Sequence, residues 1–367
     1  MKKNLKIIIP CIILAVLIIA GAVTYSFLPH SLNYDIKGIE KVGSAVEVIE
    51  KTVDTVTVKK ADDSNFKVLM FTDIHLDGKN DTSYMTVENL VKDITREKPD
   101  LVILGGDNVT SGLNRTRSKQ LGQIFEQLGV YWAGVLGNHE GDNGSSVSRT
   151  EMMNIFTSFD HCLMLKGQDD IWGDCNYSLN ILNSDDTLKK TFYFLDTGND
   201  ALPELIEKYD VKDEDRHLYD GVKEDQIKWY SDKVTETVAE YGDNESIMIV
   251  HIPLFQMREA AETETYLYGD KREGVCSSCY DTGLFDAIKK GGSTKAVYFG
   301  HDHVNNFAVE IDGITLSYIE QSGYGSYNLF TKTGAEEKDW LQGYTMLNIN
   351  ADGVYSHQFV RRSDITQ

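Results

Sequence analysis

Lys67-Val68-Leu69-Met70-Phe71-Thr72-Asp73-Ile74-His75, residues 67–75, is a short apolar run that stops abruptly in a polar cluster. A run of this length, rich in β-branched and large apolar residues, reads as a buried strand rather than one face of a helix. The same figure recurs four times downstream. Leu101 to Gly105 leads into Gly106-Asp107-Asn108, and Tyr131 to Leu136 into Gly137-Asn138-His139-Glu140. Ile247 to Val250 ends at His251, and Ala296 to Phe299 at Gly300-His301-Asp302-His303. Stretches of helical period lie between them, at Tyr84 to Glu97 before Pro99, Asp225 to Tyr241 and Thr282 to Lys290. Buried strands separated by helices imply an α/β layered core, in which ligands collect beyond the carboxyl ends of the strands. All five polar clusters are therefore expected along one edge.

Upstream, Ala45 to Lys60 alternates as a strand pair, with Val46, Val48, Val53, Val56 and Val58 punctuated by charges, and is expected at a sheet edge. Residues 29–44 read as a polar linker. Domain organisation follows as an N-terminal segment over 1–28, a linker with leading strands over 29–65, and one large domain over 66–367.

Strand-end Asp and Asn residues are ordinarily turn formers, and a lone histidine is ordinarily hydrogen-bonded structure, so each cluster alone says little. Together they point to a metal site, because five of the nine histidines stand at strand ends beside carboxylate and amide groups. Neutral imidazole with carboxylate suits Zn, Mn and Fe rather than Ca.

The ordered set Asp73-x-His75, Gly106-Asp107, Gly137-Asn138-His139-Glu140, His251 and Gly300-His301-x-His303 resembles the calcineurin-like metallophosphoesterase superfamily, from about residue 66 to beyond 303. Cys276, Thr282-Gly283-Leu284, Gly300 to Asn305 and Ser322-Gly323-Tyr324-Gly325-Ser326-Tyr327 bring it closest to the small purple-acid-phosphatase-like branch. The resemblance implies a four-layer α/β/β/α sandwich of two mixed sheets. It also implies two divalent or di/trivalent metal ions (Fe, Mn or Zn), the first on Asp73, His75, Asp107 and His303, the second on Asp107, Asn138, His251 and His301. Asp107 would bridge them, a water bridging the same ions would supply the hydroxide nucleophile, and His139 would protonate the leaving oxygen. Two departures stand out. The purple enzymes place a ligating Tyr shortly after the second Asp, where this chain has Asn108-Val109-Thr110, which puts iron and its colour in question. Relatives of the protein-phosphatase branch carry an acidic residue at the position of Thr110 to orient the histidine, so Glu140 or an unidentified group would orient His139 here.

The implied activity is hydrolysis of phosphate esters, with monoesters preferred. A phosphodiesterase of the same superfamily and a non-catalytic surface binding protein on this fold are the alternatives. A net charge of −21 excludes a broad nucleic-acid footprint and leaves a small phosphate ester as the expected partner. Arg115 and Arg117 follow the Asp107 loop as a possible phosphate clamp, and Tyr266, Tyr268, Tyr324 and Tyr327 could line a nucleotide pocket, though exposed arginines and tyrosines are more often structural. Asp196, ending Phe192 to Leu195, reads as a structural turn, and His30, His161, His217 and His357 read as structural too.

Residues 7–28 carry no charge and follow Lys2, Lys3 and Lys6. At about 1.5 Å per residue this run can cross a hydrocarbon core of about 30 Å as one transmembrane helix, with the downstream domain outside the cytoplasm. A cleaved signal sequence, with Ala20-Gly21-Ala22 as its site, sends the domain to the same side and secretes it. In that compartment Cys162 with Cys175 and Cys276 with Cys279 can pair locally, and four free thiols remain the other possibility.

Overall fold

The computed structural model describes residues 34–77, 80–110, 112–142, 144–212, 219–328 and 342–365. The apolar run at 7–28 lies outside them, and among the described residues no helix is long and apolar enough to cross a membrane.

Among the described residues, thirteen strands form two mixed sheets. They are β1 (Val46–Lys51), β2 (Thr55–Lys60), β3 (Phe66–Phe71), β4 (Leu101–Gly105), β5 (Trp132–Val135), β6 (Tyr177–Leu182), β7 (Leu188–Phe194), β8 (Ser246–Ile249), β9 (Thr294–Phe299), β10 (Ala308–Ile311), β11 (Ile314–Tyr318), β12 (Gly343–Ile349) and β13 (Tyr355–Arg361). The larger sheet runs β1-β2-β6-β7-β8-β9-β11-β10, and the smaller β13-β12-β3-β4-β5. β3, β4 and β5 are mutually parallel, as are β7, β8 and β9. The leading pair β1 and β2 is antiparallel and forms one edge of the larger sheet, β2 lying parallel to β6.

Side-chain alternation along β7, β8 and β9 explains how the sheets stack. Phe192, Phe194, Ile247, Ile249, Ala296 and Tyr298 point into a core shared with β3, β4 and β12 of the smaller sheet. Their neighbours Tyr193, Met248, Val250, Val297 and Phe299 point the other way, onto Trp229, Tyr230 and Val234 of helix Glu224–Tyr241 and onto Leu284, Phe285 and Ile288 of helix Leu284–Gly291. Strands β4 and β5 of the smaller sheet are buried on both faces, and helices Asn80–Glu97 and Asn114–Leu128 pack with it. Helix, sheet, sheet and helix thus make the layers.

Helix limits follow local chemistry. Helix Asn80–Glu97 stops before Lys98-Pro99, and helix Arg149–Phe156 starts where Ser148 Oγ accepts the Glu151 N–H at 3.1 Å. Residues 34–44, expected as a linker, are docked instead. Ile39 is buried, and the amides of Val42 and Gly43 donate to Leu128 O at 2.8 and 3.0 Å. Apolar Ile39 and Val42, set among the polar residues, supply the contact.

The five polar clusters do not share one sheet. Three end β3, β4 and β5, and two end β8 and β9, so the carboxyl ends of two sheets converge on the site. Short apolar runs do not encode which sheet they join, which is why a single edge was expected.

Candidate dinuclear metal centre

Each sequence-predicted ligand arrives from a turn just past a strand end, and the turns are tied together by backbone. Past β3 and β4, the amides of Asp73, His75 and Leu76 donate to the carbonyls of Gly106, Asp107 and Asn108 at 3.0, 2.9 and 3.1 Å. Asp73, His75, Asp107 and His301 all adopt positive φ, at 51°, 47°, 51° and 79°. That left-handed region costs a non-glycine residue on the order of 1 kcal/mol or more, and such strain gathers at functional sites. Glycine is required on both sides of Asp107. A Cβ on Gly106 would lie 2.4 Å from His251 Nδ1, and one on Gly137 would lie 2.2 Å from Asp107 Oδ1.

The result is two interlocking donor clusters. Asp73, His75, Asp107 and His303 form one, and Asp107, His251 and His301 the other, with ligand atoms in each within 4.8 Å of one another and every residue buried. Asn138 Oδ1 approaches His251 Nε2 at 3.1 Å, which brings it to the second cluster.

The hydrogen bonds test whether cations fit. His251 Nδ1 donates to Gly105 O at 2.8 Å, so its Nε2 lone pair faces two oxygens, Asn138 Oδ1 at 3.1 Å and Asp107 Oδ2 at 3.2 Å. His303 Nδ1 likewise donates to Tyr327 O at 2.9 Å, which aims its Nε2 at His75 Nε2, 3.1 Å away. Lone pairs that face one another this closely are favourable only around a shared positive charge, and borderline metal ions provide one. The charges agree. Burial pushes the Asp73 and Asp107 carboxyls up, but His303 beside Asp73 and His251 beside Asp107 outweigh it and hold both below the usual carboxylate range. Burial and the repulsion of His251 push His301 down to about 3, which keeps a neutral donor nitrogen. Burial opposes the charged forms of His251 and His303, but Asp107 and Asp73 outweigh it, raising His251 to about 9 and His303 above its ordinary value; two bound cations would take the place of these protons, and the donor set fits them.

His139 stands at the mouth, its side chain 42% exposed and its Nε2 3.9 Å from Asp107 Oδ2. Its Nδ1 pairs with Asp142 Oδ2 at 2.6 Å, and its backbone amide donates to Asp107 Oδ1 at 2.8 Å. Asp142, not Glu140, orients the ring. The i,i+3 spacing of His139 and Asp142 was the available signal, since His139 opens the short 3-10 turn His139–Gly141 and Asp142 follows it. Glu140 is buried and joins two loops instead: Oε1 accepts from the amides of Asn108 and Val109 at 2.6 and 3.3 Å, and Oε2 from Gly137 N at 2.8 Å. Asn108, the first of the three residues that follow Asp107, is turned inward, its Nδ2 donating to Val135 O at 3.1 Å.

Asp196 does more than end a strand. Its Oδ1 accepts from Arg149 Nη2 at 2.5 Å, while Arg149 Nη1 donates to Gly137 O, so a guanidinium pins the loop that carries Asn138 and His139. No sequence signal joins Arg149 to Asp196, 47 residues apart. Arg149→Met would leave the fully buried Asp196 carboxylate without its cation and should cost about 3–5 kcal/mol of stability. Urea denaturation checks this, and a loss under about 1 kcal/mol contradicts it.

The arginine pair expected as a clamp is committed elsewhere. Arg115 pairs with Glu151, and Arg117 is buried, donating to Asp77 O at 2.7 Å and Gln120 Oε1 at 2.8 Å. Of the four tyrosines, Tyr327 alone meets the centre. Tyr266 stacks on Phe307, Tyr268 on His357, and Tyr324 packs beside Thr86 and Asn89. Tyr219, unnoticed in the sequence, sets its ring edge-on to His301 at 4.3 Å. His161 pairs with Glu126, and His357 lies in the aromatic cluster with Tyr268, while His30 and His217 lie outside the described residues. Cys162, Cys175, Cys276 and Cys279 form no disulfide with one another.

Known proteins are similar to this chain. A protein from Arabidopsis thaliana named "Probable inactive purple acid phosphatase 14" is 28% identical over 302 residues, 72% of each chain. A second from the same organism, "Probable inactive purple acid phosphatase 28", is 26% identical over the same shares. Among solved structures, a dimetal phosphatase from Danio rerio superposes with a TM-score of 0.52 at 14% identity, covering 81% of this chain and all of its own, a likeness of fold. The family model for calcineurin-like phosphoesterase matches residues 66–305, across every strand-end cluster described above, and the chain belongs to that family.

Proposed function

We propose that the protein is a metal-dependent phosphoric ester hydrolase that prefers monoesters. The observation that carries this reading is the sharing of one buried carboxylate, Asp107, by two donor clusters, with His139 held open to solvent beside it. Asp73, His75, Asp107 and His303 would hold one ion, and Asp107, Asn138, His251 and His301 the other. Two such ions supply Lewis acidity to phosphate oxygens and lower the pKa of water.

The chain's own groups supply the rest. Asp142 on Nδ1 of His139 fixes the ring so that Nε2 presents a proton toward the mouth of the site, where a leaving oxygen would depart. Burial opposes the charged form of His139, but Asp107 and Asp142 outweigh it and raise its pKa, which favours a proton donor near neutral pH. A dianionic monoester gains more from two cations than a monoanionic diester does, so the monoester is favoured. Chelation should abolish hydrolysis of a chromogenic monoester, and Mn, Zn or Fe should restore it; full turnover in metal-free protein refutes the reading. A diester advantage in kcat/KM of about tenfold, some 1.4 kcal/mol, would move the protein to the phosphodiesterases.

The names of the Arabidopsis relatives favour a second reading, in which the same centre binds ligand without turnover. Ion binding with no hydrolysis across a panel of phosphate esters would select it. We also propose, from Lys2, Lys3 and Lys6 ahead of the apolar run at 7–28, that the domain lies outside the cytoplasm on a single-pass anchor or after signal cleavage. Protease added to intact cells should then reach it, and protection until lysis contradicts this.

A further inference from the structure

The segment Ser322-Gly323-Tyr324-Gly325-Ser326-Tyr327 runs across the turn that carries Asp73 and His75. The amides of Ser322 and Gly323 donate to Thr72 O and Asp73 O at 3.0 and 3.1 Å, which continues the parallel bridge between Thr72 and Gln321. The approach is close enough to require small residues: a Cβ on Gly323 would lie 2.1 Å from Ile74 O, and one on Gly325 would lie 2.3 Å from His75 O. The segment is thereby clamped to two ligand-bearing residues by backbone alone. Its last residue reaches a third.

Tyr327 touches His303 in three ways. Its carbonyl accepts from His303 Nδ1 at 2.9 Å, its ring stacks on the imidazole at 4.1 Å and 11°, and its hydroxyl lies 3.4 Å from the His303 amide. That hydroxyl also reaches both Glu273 oxygens, at 3.1 and 3.2 Å, and Glu273 Oε1 in turn accepts from Val304 N at 3.0 Å. Gln321 Nε2 donates to the same Tyr327 carbonyl at 3.0 Å. The circuit closes on the backbone next to the ligand it serves. His251 is oriented by Gly105 O, at the end of β4, whereas His303 depends on a segment outside the sheets.

We propose that Tyr327 is a positioning residue that sets the ring orientation and tautomer of His303, and with them the affinity of the first metal site. The proposal rests on the reading that Asp73, His75, Asp107 and His303 hold an ion. A metal-bound histidine takes its tautomer and direction from the partner of its other ring nitrogen, and removing such support costs 10- to 100-fold in affinity. The carbonyl survives any side-chain change, but the stack and the Glu273 tether that aim it do not. Tyr327 is 39% exposed, so its truncation opens no core cavity.

The test is titration of the metal-free full chain with Co(II), read by absorption and by calorimetry. Wild type should bind two ions. Tyr327→Ala should weaken one ion by 10- to 100-fold, leave the other unchanged, and lose the same absorption band that His303→Ala loses. Tyr327→Phe keeps the stack without the tether and should show a smaller loss at the same site, which preserves the test if the alanine variant folds poorly. Two ions bound by Tyr327→Ala with wild-type affinities overturn the proposal, as does equal weakening of both sites in a variant with unchanged Tm. Wild-type protein that binds no ion overturns the reading of the centre itself, a distinct result.

Discussion

Asp107→Ala should empty both metal sites and end hydrolysis together. Asp107 Oδ2 lies 3.2 Å from His251 Nε2 and 3.6 Å from His75 Nε2, so it is the anion common to both donor clusters. Without it the second cluster has no carboxylate, and the first keeps only Asp73. Oδ1 of the same group accepts the His139 amide at 2.8 Å, so the loop bearing Asn138 and His139 loses its anchor as well. Several kcal/mol of electrostatic stabilisation would go at once, and a fall in kcat/KM of at least about 10⁴-fold, roughly 5.4 kcal/mol, is expected. Metal analysis of the dialysed variant beside its turnover checks this. Two ions at full occupancy, or a rate within tenfold of wild type, would show that Asp107 is not the shared ligand.

His139→Ala should separate binding from chemistry. The His139 ring belongs to neither donor cluster, and its side chain is half exposed at the mouth of the site, so both ions should remain. Loss of a general acid costs about 10² to 10⁴ in rate. The loss should grow with the basicity of the leaving group, because an alkoxide needs the proton far more than a nitrophenolate does. Asp142→Asn should reproduce a milder form of the same dependence, since Asp142 holds Nδ1 at 2.6 Å and touches neither cluster. If His139→Ala released an ion instead, the ring would be a ligand; if its rate loss were equal for good and poor leaving groups, it would not be the acid.

The strands that carry the five clusters, three of the helices and the ligand types were legible because each depends on a few neighbouring residues. A five- or six-residue apolar run can only be buried, Lys98-Pro99 ends the preceding helix wherever the helix packs, and a Gly-Asp or Gly-His after a strand marks a turn with a donor on it. The charge of −21 in turn argued against a nucleic-acid surface before any fold was known. What tertiary structure alone decided is which groups meet. Three of the five strand ends belong to one sheet and two to the other, and Asp107 joins both donor clusters only because the two edges face each other. Arg149 finds Asp196 across 47 residues, and Tyr327 finds His303 across 24, with no periodicity to announce either. The left-handed turns at Asp73, His75, Asp107 and His301 belong to the same class. Asp and His enter that region more readily than most residues, but it is ladders, buried charges and close glycine contacts from distant segments that hold them there.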